Sequence, residues 1–306
     1  MKILVATEKP FAADAVRKIK QVIDNAGFEA VLFEKYTEKS QLLDAVKDVN
    51  AIIIRSDIID AEVLEAAKQL KIVVRAGAGY DNVDLNAATA HGVVVMNTPG
   101  QNSNAVAELA LGLMVYAARN MFDGTSGTEL LGKKLGIHAY GNVGRNVARI
   151  AKGFGMEVYA YDAFVPAEAI ESEGIKALTS VEELYSTCQY VSVNIPATAE
   201  TKNSINYALL EKMPKKAVLI NTARKEVVNE AELVKLMEAR PDFKYLTDVK
   251  PSNNEELNTK FPKQYFTTPN KMGAQTAEAN NNAGIAAANQ IVDFFKTGNA
   301  KFQVNV

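Results

Sequence analysis

The segment Leu135 to Asp162, LGIHAYGNVGRNVARIAKGFGMEVYAYD, constrains the fold more than any other part of the chain. It reads as a strand, a glycine turn, a helix, a second strand and then an acid. Ala139, Gly141 and Gly144 occupy the three positions of a G-x-G-x-x-G pattern, with Asn142 and Val143 between the last two. Gly141 has no side chain, so backbone N–H groups can approach a pyrophosphate there. Gly144 allows the helix to pack closely on the strand. The helix N-terminus adds unpaired donors and a partial positive charge. Asp162 follows Gly144 by 18 residues. It can accept hydrogen bonds from both ribose hydroxyls and would repel a 2′-phosphate, which favours NAD over NADP. The alternative is a tight strand–helix–strand turn with no ligand. Ala139 departs from glycine, so the turn must tolerate a Cβ.

A chain of 306 residues suggests two lobes rather than one, and 48% apolar residues suffice for large cores. A net charge of −2 gives no reason to expect a nucleic-acid or acidic-membrane partner. The single cysteine, Cys188, excludes an internal disulfide and fits a reducing cytoplasm. The opening MKILVATEKP has no signal-peptide core. Ala105 to Ala118, the longest apolar stretch, is interrupted by Glu108 and too short to span a bilayer, so a buried helix is expected. No metal site is expected.

The first third alternates strands (Lys2 to Ala6, Glu29 to Phe33, Ala51 to Arg55, Ile72 to Arg75, Val93 to Met96) with helices such as Ala12 to Ala26 and Ser40 to Lys47. Short apolar strands with helical crossovers predict a parallel sheet covered on both faces. The pattern breaks at Asn97-Thr98-Pro99-Gly100, and a long helix, Asn104 to Ala118, follows. A second alternation starts at Leu135, with later strands at Tyr190 to Ile195, Ala217 to Asn221 and Tyr245 to Thr247. A helix from about Thr276 to Phe295 is expected to return to the first lobe. The expected domains are therefore 1–97 with 276–306, and 98–275.

Distinctive polar residues stand where strands end: Arg55, Arg75, Asp162, Asn194, Arg224 and Asp248. In open parallel sheets ligands bind beyond the carboxyl ends of the strands. In RAGAGYDNVD, Gly77 and Gly79 flank Ala78 directly after a strand, forming a nest of N–H groups suited to a carboxylate. The alternative is a plain loop capped by Asp84. Arg224 ends LINTAR, where a guanidinium can grip a carboxylate with two prongs and polarise a neighbouring carbonyl. A surface pair with Glu226 or Glu230 is the alternative.

IIIRSD, RAGAGYDNVD, NTPGQNSNAVAEL, GKKLGIHAYGNVGR, NIPATAETKNSIN, LINTARKEVVNE and TDVKP follow one another in an order that resembles the D-isomer-specific 2-hydroxyacid dehydrogenases along essentially the whole chain. The resemblance implies two doubly wound α/β lobes with a cleft between them. One is a flavodoxin-like substrate lobe and the other a Rossmann NAD lobe. It implies hydride transfer between NAD and a small anionic 2-hydroxy or 2-oxo acid. Arg224 matches the family's catalytic arginine. Asp248 matches the residue near the nicotinamide amide, and Asn194-Ile195-Pro196 the loop over the cofactor ribose. Thr222 and Ala223 join the cofactor-binding set. A homodimer built on Asn104 to Ala118 is also implied. A chain ending at Val306 is expected to be a short form without a C-terminal regulatory domain.

Two departures stand out. The family's histidine acid/base falls on Asn270 when counted from Thr268-Pro269, and on Lys271 when counted back from Gly273-Ala274-Gln275-Thr276. The glutamate that supports it falls on Asn253. His91 and His138, the only histidines, lie elsewhere. A catalytic imidazole needs a carboxylate to fix its tautomer, whereas an ammonium needs none. Loss of both residues together therefore fits lysine as the replacement, with Lys271 as proton donor; the alternative is a solvated loop lysine beside an inactive site. Arg55 and Arg75 could meet a second anionic group, which favours a phosphorylated acid over lactate or glyoxylate. The alternative is that one of them pairs with Asp57 or Asp81.

Overall fold

The computed structural model describes residues 1–305. They form two compact units, Met1–Asn102 with Thr276–Val306, and Ser103–Gln275.

The first unit runs β1 (Lys2–Thr7), α1 (Ala13–Asn25), β2 (Glu29–Glu34), α2 (Lys39–Ala45), β3 (Ala51–Ile54), α3 (Ala61–Ala66), β4 (Ile72–Arg75), α4 (Leu85–Ala90) and β5 (Val94–Asn97). Its strands lie in the order β2-β1-β3-β4-β5, and every pairing is parallel. Alternate strand residues bury on opposite faces. Leu4, Ala6, Ile52, Ile54, Val73 and Val95 join one core. Ile3, Val5, Ile53, Ile72 and Val74 join the other. A sheet buried on both faces needs such continuous apolar strands, and AIII of β3 is buried throughout.

The second unit runs α5 (Ser103–Ala118), β6 (Lys134–His138), α6 (Asn142–Gly153), β7 (Glu157–Tyr161), α7 (Ala167–Ser172), β8 (Lys176–Ala177), α8 (Val181–Thr187), β9 (Tyr190–Val193), α9 (Tyr207–Leu210), β10 (Val218–Asn221), α10 (Glu230–Ala239), β11 (Lys244–Thr247), α11 (Asn254–Lys260) and β12 (Tyr265–Thr267). The all-parallel order is β12-β11-β10-β9-β6-β7-β8. This is the dinucleotide-binding order with one strand added at an edge. The two-residue β8 and three-residue β12 are too short for alternation to reveal them in the sequence.

α12 (Ala277–Thr297) belongs to the first unit. Thr276 caps it by accepting the Ala279 N–H at 3.1 Å, and left-handed Gly298 ends it. Its alanine richness has a packing cause. A Cβ on Gly284 would lie 2.6 Å from Ile19 Cδ1 and 3.0 Å from Phe11 Cε1, so α12 meets α1 through small residues.

Strand ends differ from the sequence reading by one or two residues. The largest functional consequence is at Arg55, which lies in the loop after β3 rather than in the strand. α5 is buried as expected, with Ala107, Ala110, Leu111, Met114 and Ala117 all but inaccessible. After it, Asn120, Met121 and Phe122 take successive left-handed φ values of 50°, 57° and 59°. Such residues cost about 1–2 kcal/mol each. Asn120 offsets part of this by donating to Thr125 Oγ1 at 3.0 Å and accepting from Lys244 Nζ at 3.0 Å.

Among the described residues no helix is long and apolar enough to cross a membrane. Among the described residues no three His, Cys, Asp or Glu side chains are grouped to hold a metal.

Candidate active site

In the second unit the strand order reverses between β6 and β9, the switch point where open α/β sheets bind ligands. The glycine turn starts there. Ala139 has φ +79°, so it holds a left-handed conformation with its Cβ in place. Gly144 has no such latitude, because a Cβ would sit 2.4 Å from Ala139 O and 2.9 Å from Ile137 Cγ2. At Gly141, which caps α6, a Cβ would meet nothing within 4 Å. The protein itself therefore does not require glycine at 141, and the space suits an approaching phosphate. Asn142 and Val143 then open the helix.

Asp162 follows β7 and accepts the N–H of Tyr140 at 2.6 Å, of Phe164 at 2.8 Å and of Val165 at 3.0 Å. Its carboxylate thus ties the glycine turn to the loop after β7, which fixes it for a further partner.

Three adjacent strands end in buried oxygens without a protein partner: Asn194 Oδ1 after β9, Thr222 Oγ1 after β10 and Asp248 Oδ1 after β11. A buried polar atom left alone costs about 1–3 kcal/mol. Two are obligate acceptors and one is a hydroxyl, so the missing partner is rich in donors. Ribose hydroxyls and a carboxamide N–H₂ fit that description, and NAD carries both. Ile195 and Ala223 are buried beside these atoms in sequence, and Pro196 is exposed.

Arg224 is placed by a residue that sequence reasoning passed over. Asn221 is wholly buried at the end of β10. Its Nδ2 donates to Arg224 O at 2.9 Å, and its Oδ1 accepts the Ala223 N–H at 3.0 Å. An asparagine closing an otherwise apolar strand, VLIN, was the available signal. The Arg224 guanidinium donates to Ala223 O at 3.0 Å, and the Glu230 carboxylate instead accepts the Ser252 N–H.

Asp248 is fully buried. Its Oδ2 accepts the N–H of Met272 at 3.1 Å and of Gly273 at 2.6 Å. Burial pushes its pKa above the ordinary carboxylate value, against the opposing pull of the Gly273 amide, the Lys271 charge and the Met272 amide. Lys271 and Asn270 are both exposed on the turn so held, and Asn270 O accepts Thr268 Oγ1 at 2.6 Å. Asn253 stands at the N-terminus of α11 with its Oδ1 buried and unpartnered. Burial holds His138 down to about 4, against Tyr185 OH at 3.2 Å. His91 faces Glu65 at 3.1 Å on the surface.

In the first unit Arg55 bridges the loops at that sheet's own switch point. Its guanidinium donates to Lys9 O at 2.9 Å, Pro10 O at 3.1 Å and Asn280 Oδ1 at 2.7 Å. Asp57 does not pair with that guanidinium. It accepts the Tyr36 hydroxyl at 2.6 Å and the amides of Glu8 and Arg55. Arg75 donates from Nε to Arg55 O at 3.0 Å and lies over Gly77, where a Cβ would collide with its guanidinium. The Gly77 N–H turns back to Arg75 O at 2.9 Å, so Ala78 and Gly79 supply the outer amides of the nest.

A switch-point glycine turn, an anchored acid and three unpartnered buried oxygens define a dinucleotide-binding α/β protein. The sequence profile of the "D-isomer specific 2-hydroxyacid dehydrogenase, NAD binding domain" matches residues 112–271. The chain belongs to this family, and those residues are its NAD-binding domain. The chain is similar to the NAD⁺-bound 3-phosphoglycerate dehydrogenase of Entamoeba histolytica, with 46% identity, a TM-score of 0.89 and coverage of 100% of this chain and 99% of that one. The D-3-phosphoglycerate dehydrogenase of Methanocaldococcus jannaschii is 32% identical over 324 residues, covering all of this chain, which spans 60% of that protein's length. The hydroxypyruvate reductase of Thermotoga maritima is 32% identical over 280 residues, 86% of this chain and 90% of that protein.

Proposed function

We propose that this chain is an NAD-dependent dehydrogenase that interconverts 3-phospho-D-glycerate and 3-phosphohydroxypyruvate, the reaction that opens serine synthesis, in the cytoplasm. The observation that carries the reading is the end-to-end likeness to the NAD⁺-bound Entamoeba enzyme. When bound, the nicotinamide supplies the site that takes or gives the hydride. Gly141 and the α6 N-terminus hold the pyrophosphate, and Asp162 holds the adenosine ribose. Asn194, Thr222 and Asp248 receive the nicotinamide half, lined by Ile195, Pro196 and Ala223. Arg224 grips the substrate carboxylate and polarises the 2-oxygen. Lys271 gives a proton to that oxygen in reduction and takes it back in oxidation.

Ala78 and Gly79 add backbone donors for an anion. Arg75 reads the phosphate, supported by Arg55, most of whose donors brace the loops around it. NADH oxidation should therefore be fastest with phosphohydroxypyruvate. Arg75→Ala should weaken that substrate by about 1.5–3 kcal/mol and glyoxylate far less. Equal losses on both substrates would remove phosphate reading from Arg75. A wild-type preference for hydroxypyruvate or glyoxylate would favour a reductase like the Thermotoga relative. NADH binding without turnover would point to a non-catalytic NAD sensor.

The proposal extends to a homodimer built on α5 and the arm after it. Phe122 is 66% exposed on the left-handed turn, and its ring packs edge-on against Tyr116. Sedimentation at micromolar concentration should give twice the chain mass. A monomer there would sink the dimer.

A further inference from the structure

We propose that Asp248 is a positioning residue for Lys271, one oxygen of its carboxylate holding the lysine's turn while the other serves the cofactor. This rests on the reading of Lys271 as the proton donor.

Asp248 Oδ2 receives two successive amides, Met272 N–H and Gly273 N–H, immediately after Lys271. On the other side Thr268 Oγ1 donates to the carbonyl of Asn270, immediately before it. The backbone is therefore gripped on both sides of a residue whose own side chain is exposed. The fit against Asp248 is tight. A Cβ on Gly273 would lie 3.0 Å from Asp248 Oδ2 and 3.2 Å from Val106 Cγ2. The second oxygen, Oδ1, is buried with no protein partner. An ionised carboxylate is an acceptor on both oxygens, so it can hold the turn on one side and a donor on the other. An asparagine keeps one acceptor and presents a donor in place of the second, so it cannot do both. A long, flexible lysine gains a fixed root by this means, and that root is built on the same group that contacts the cofactor.

Turnover at saturating NADH and NADH affinity, measured for Asp248→Asn, Gly273→Ala, Lys271→Ala and the Gly273→Ala/Lys271→Ala pair, test this. Asp248→Asn should lower kcat at least tenfold. Gly273→Ala keeps both the carboxylate and the lysine and crowds the seam between the turn and Asp248 Oδ2. It should also lower kcat about tenfold, with NADH affinity within twofold of wild type. In the Lys271→Ala background, Gly273→Ala should cost less than twofold further in kcat, because the group the turn places is gone. Losses that multiply in the pair would overturn the proposal and leave the lysine assignment standing. So would a Gly273→Ala protein with wild-type kcat. Near-normal turnover of Lys271→Ala would remove the lysine assignment and this proposal together. If either Asp248→Asn or Gly273→Ala fails to fold, the other decides.

Discussion

Replacing Lys271 with alanine should depress turnover about 10²–10⁴-fold, the usual loss when a general acid is removed, while NADH affinity stays nearly unchanged. The histidines give no alternative. His138 is buried behind the glycine turn and held neutral, with its pKa pushed down to about 4. His91 caps α4 in the other unit and faces Glu65. On the reading of the sequence the family's supporting glutamate falls on Asn253, which carries no charge to orient an imidazole. Lys271→His should therefore rescue poorly. If Lys271→Ala turns over at a near-normal rate, the role passes to a water held by Asn270. Single-turnover measurements with NADH in excess would separate this chemical step from product release.

Asp162→Asn should raise the KM for NADH about tenfold or more, since a charge-assisted hydrogen bond contributes about 1.5–3 kcal/mol. The same change should narrow the preference for NADH over NADPH, because the carboxylate that repels a 2′-phosphate is gone. The loss extends beyond ribose contact. Asp162 accepts three backbone amides, those of Tyr140, Phe164 and Val165, so weakening it also loosens the turn that carries Gly141. A fall in Tm should accompany the kinetic change. A wild-type enzyme that uses NADPH as well as NADH would refute the role given to this acid.

The fold was legible where the signal is local and periodic. Apolar strands alternating with amphipathic helices announce doubly wound sheets, and the Gly141–Gly144 spacing with Asp162 announces the switch-point turn. The departure at Ala139 was also legible, although only the fold reveals its left-handed φ of 79°. Side-chain destinations were less legible because they depend on residues distant in sequence. Arg55 reads as an anion ligand, yet its guanidinium meets Lys9, Pro10 and Asn280, the last 225 positions away. Asn221 and Gly273 stand inside motifs that were read for their neighbours, Arg224 and Lys271. Their importance arises only when the turns before Arg224 and after Lys271 close on them. The left-handed run that starts at Asn120 continues through Met121 and Phe122, whose residue types oppose it, so no propensity could announce its length.

The first unit is assembled from two stretches separated by the second unit, and this bears on how the chain is made. Residues Ser103–Gln275 are continuous, so their sheet can be completed during synthesis before α12 emerges. The first sheet cannot. Ile3, Val5, Ile53 and Val74 share their core with Ala283, Ala287 and Ile291 of α12. Until that helix leaves the ribosome, this face of an already formed sheet stays partly uncovered and open to aggregation or chaperone capture. The Gly284 seam against Ile19 and Phe11 is thus among the last contacts to form.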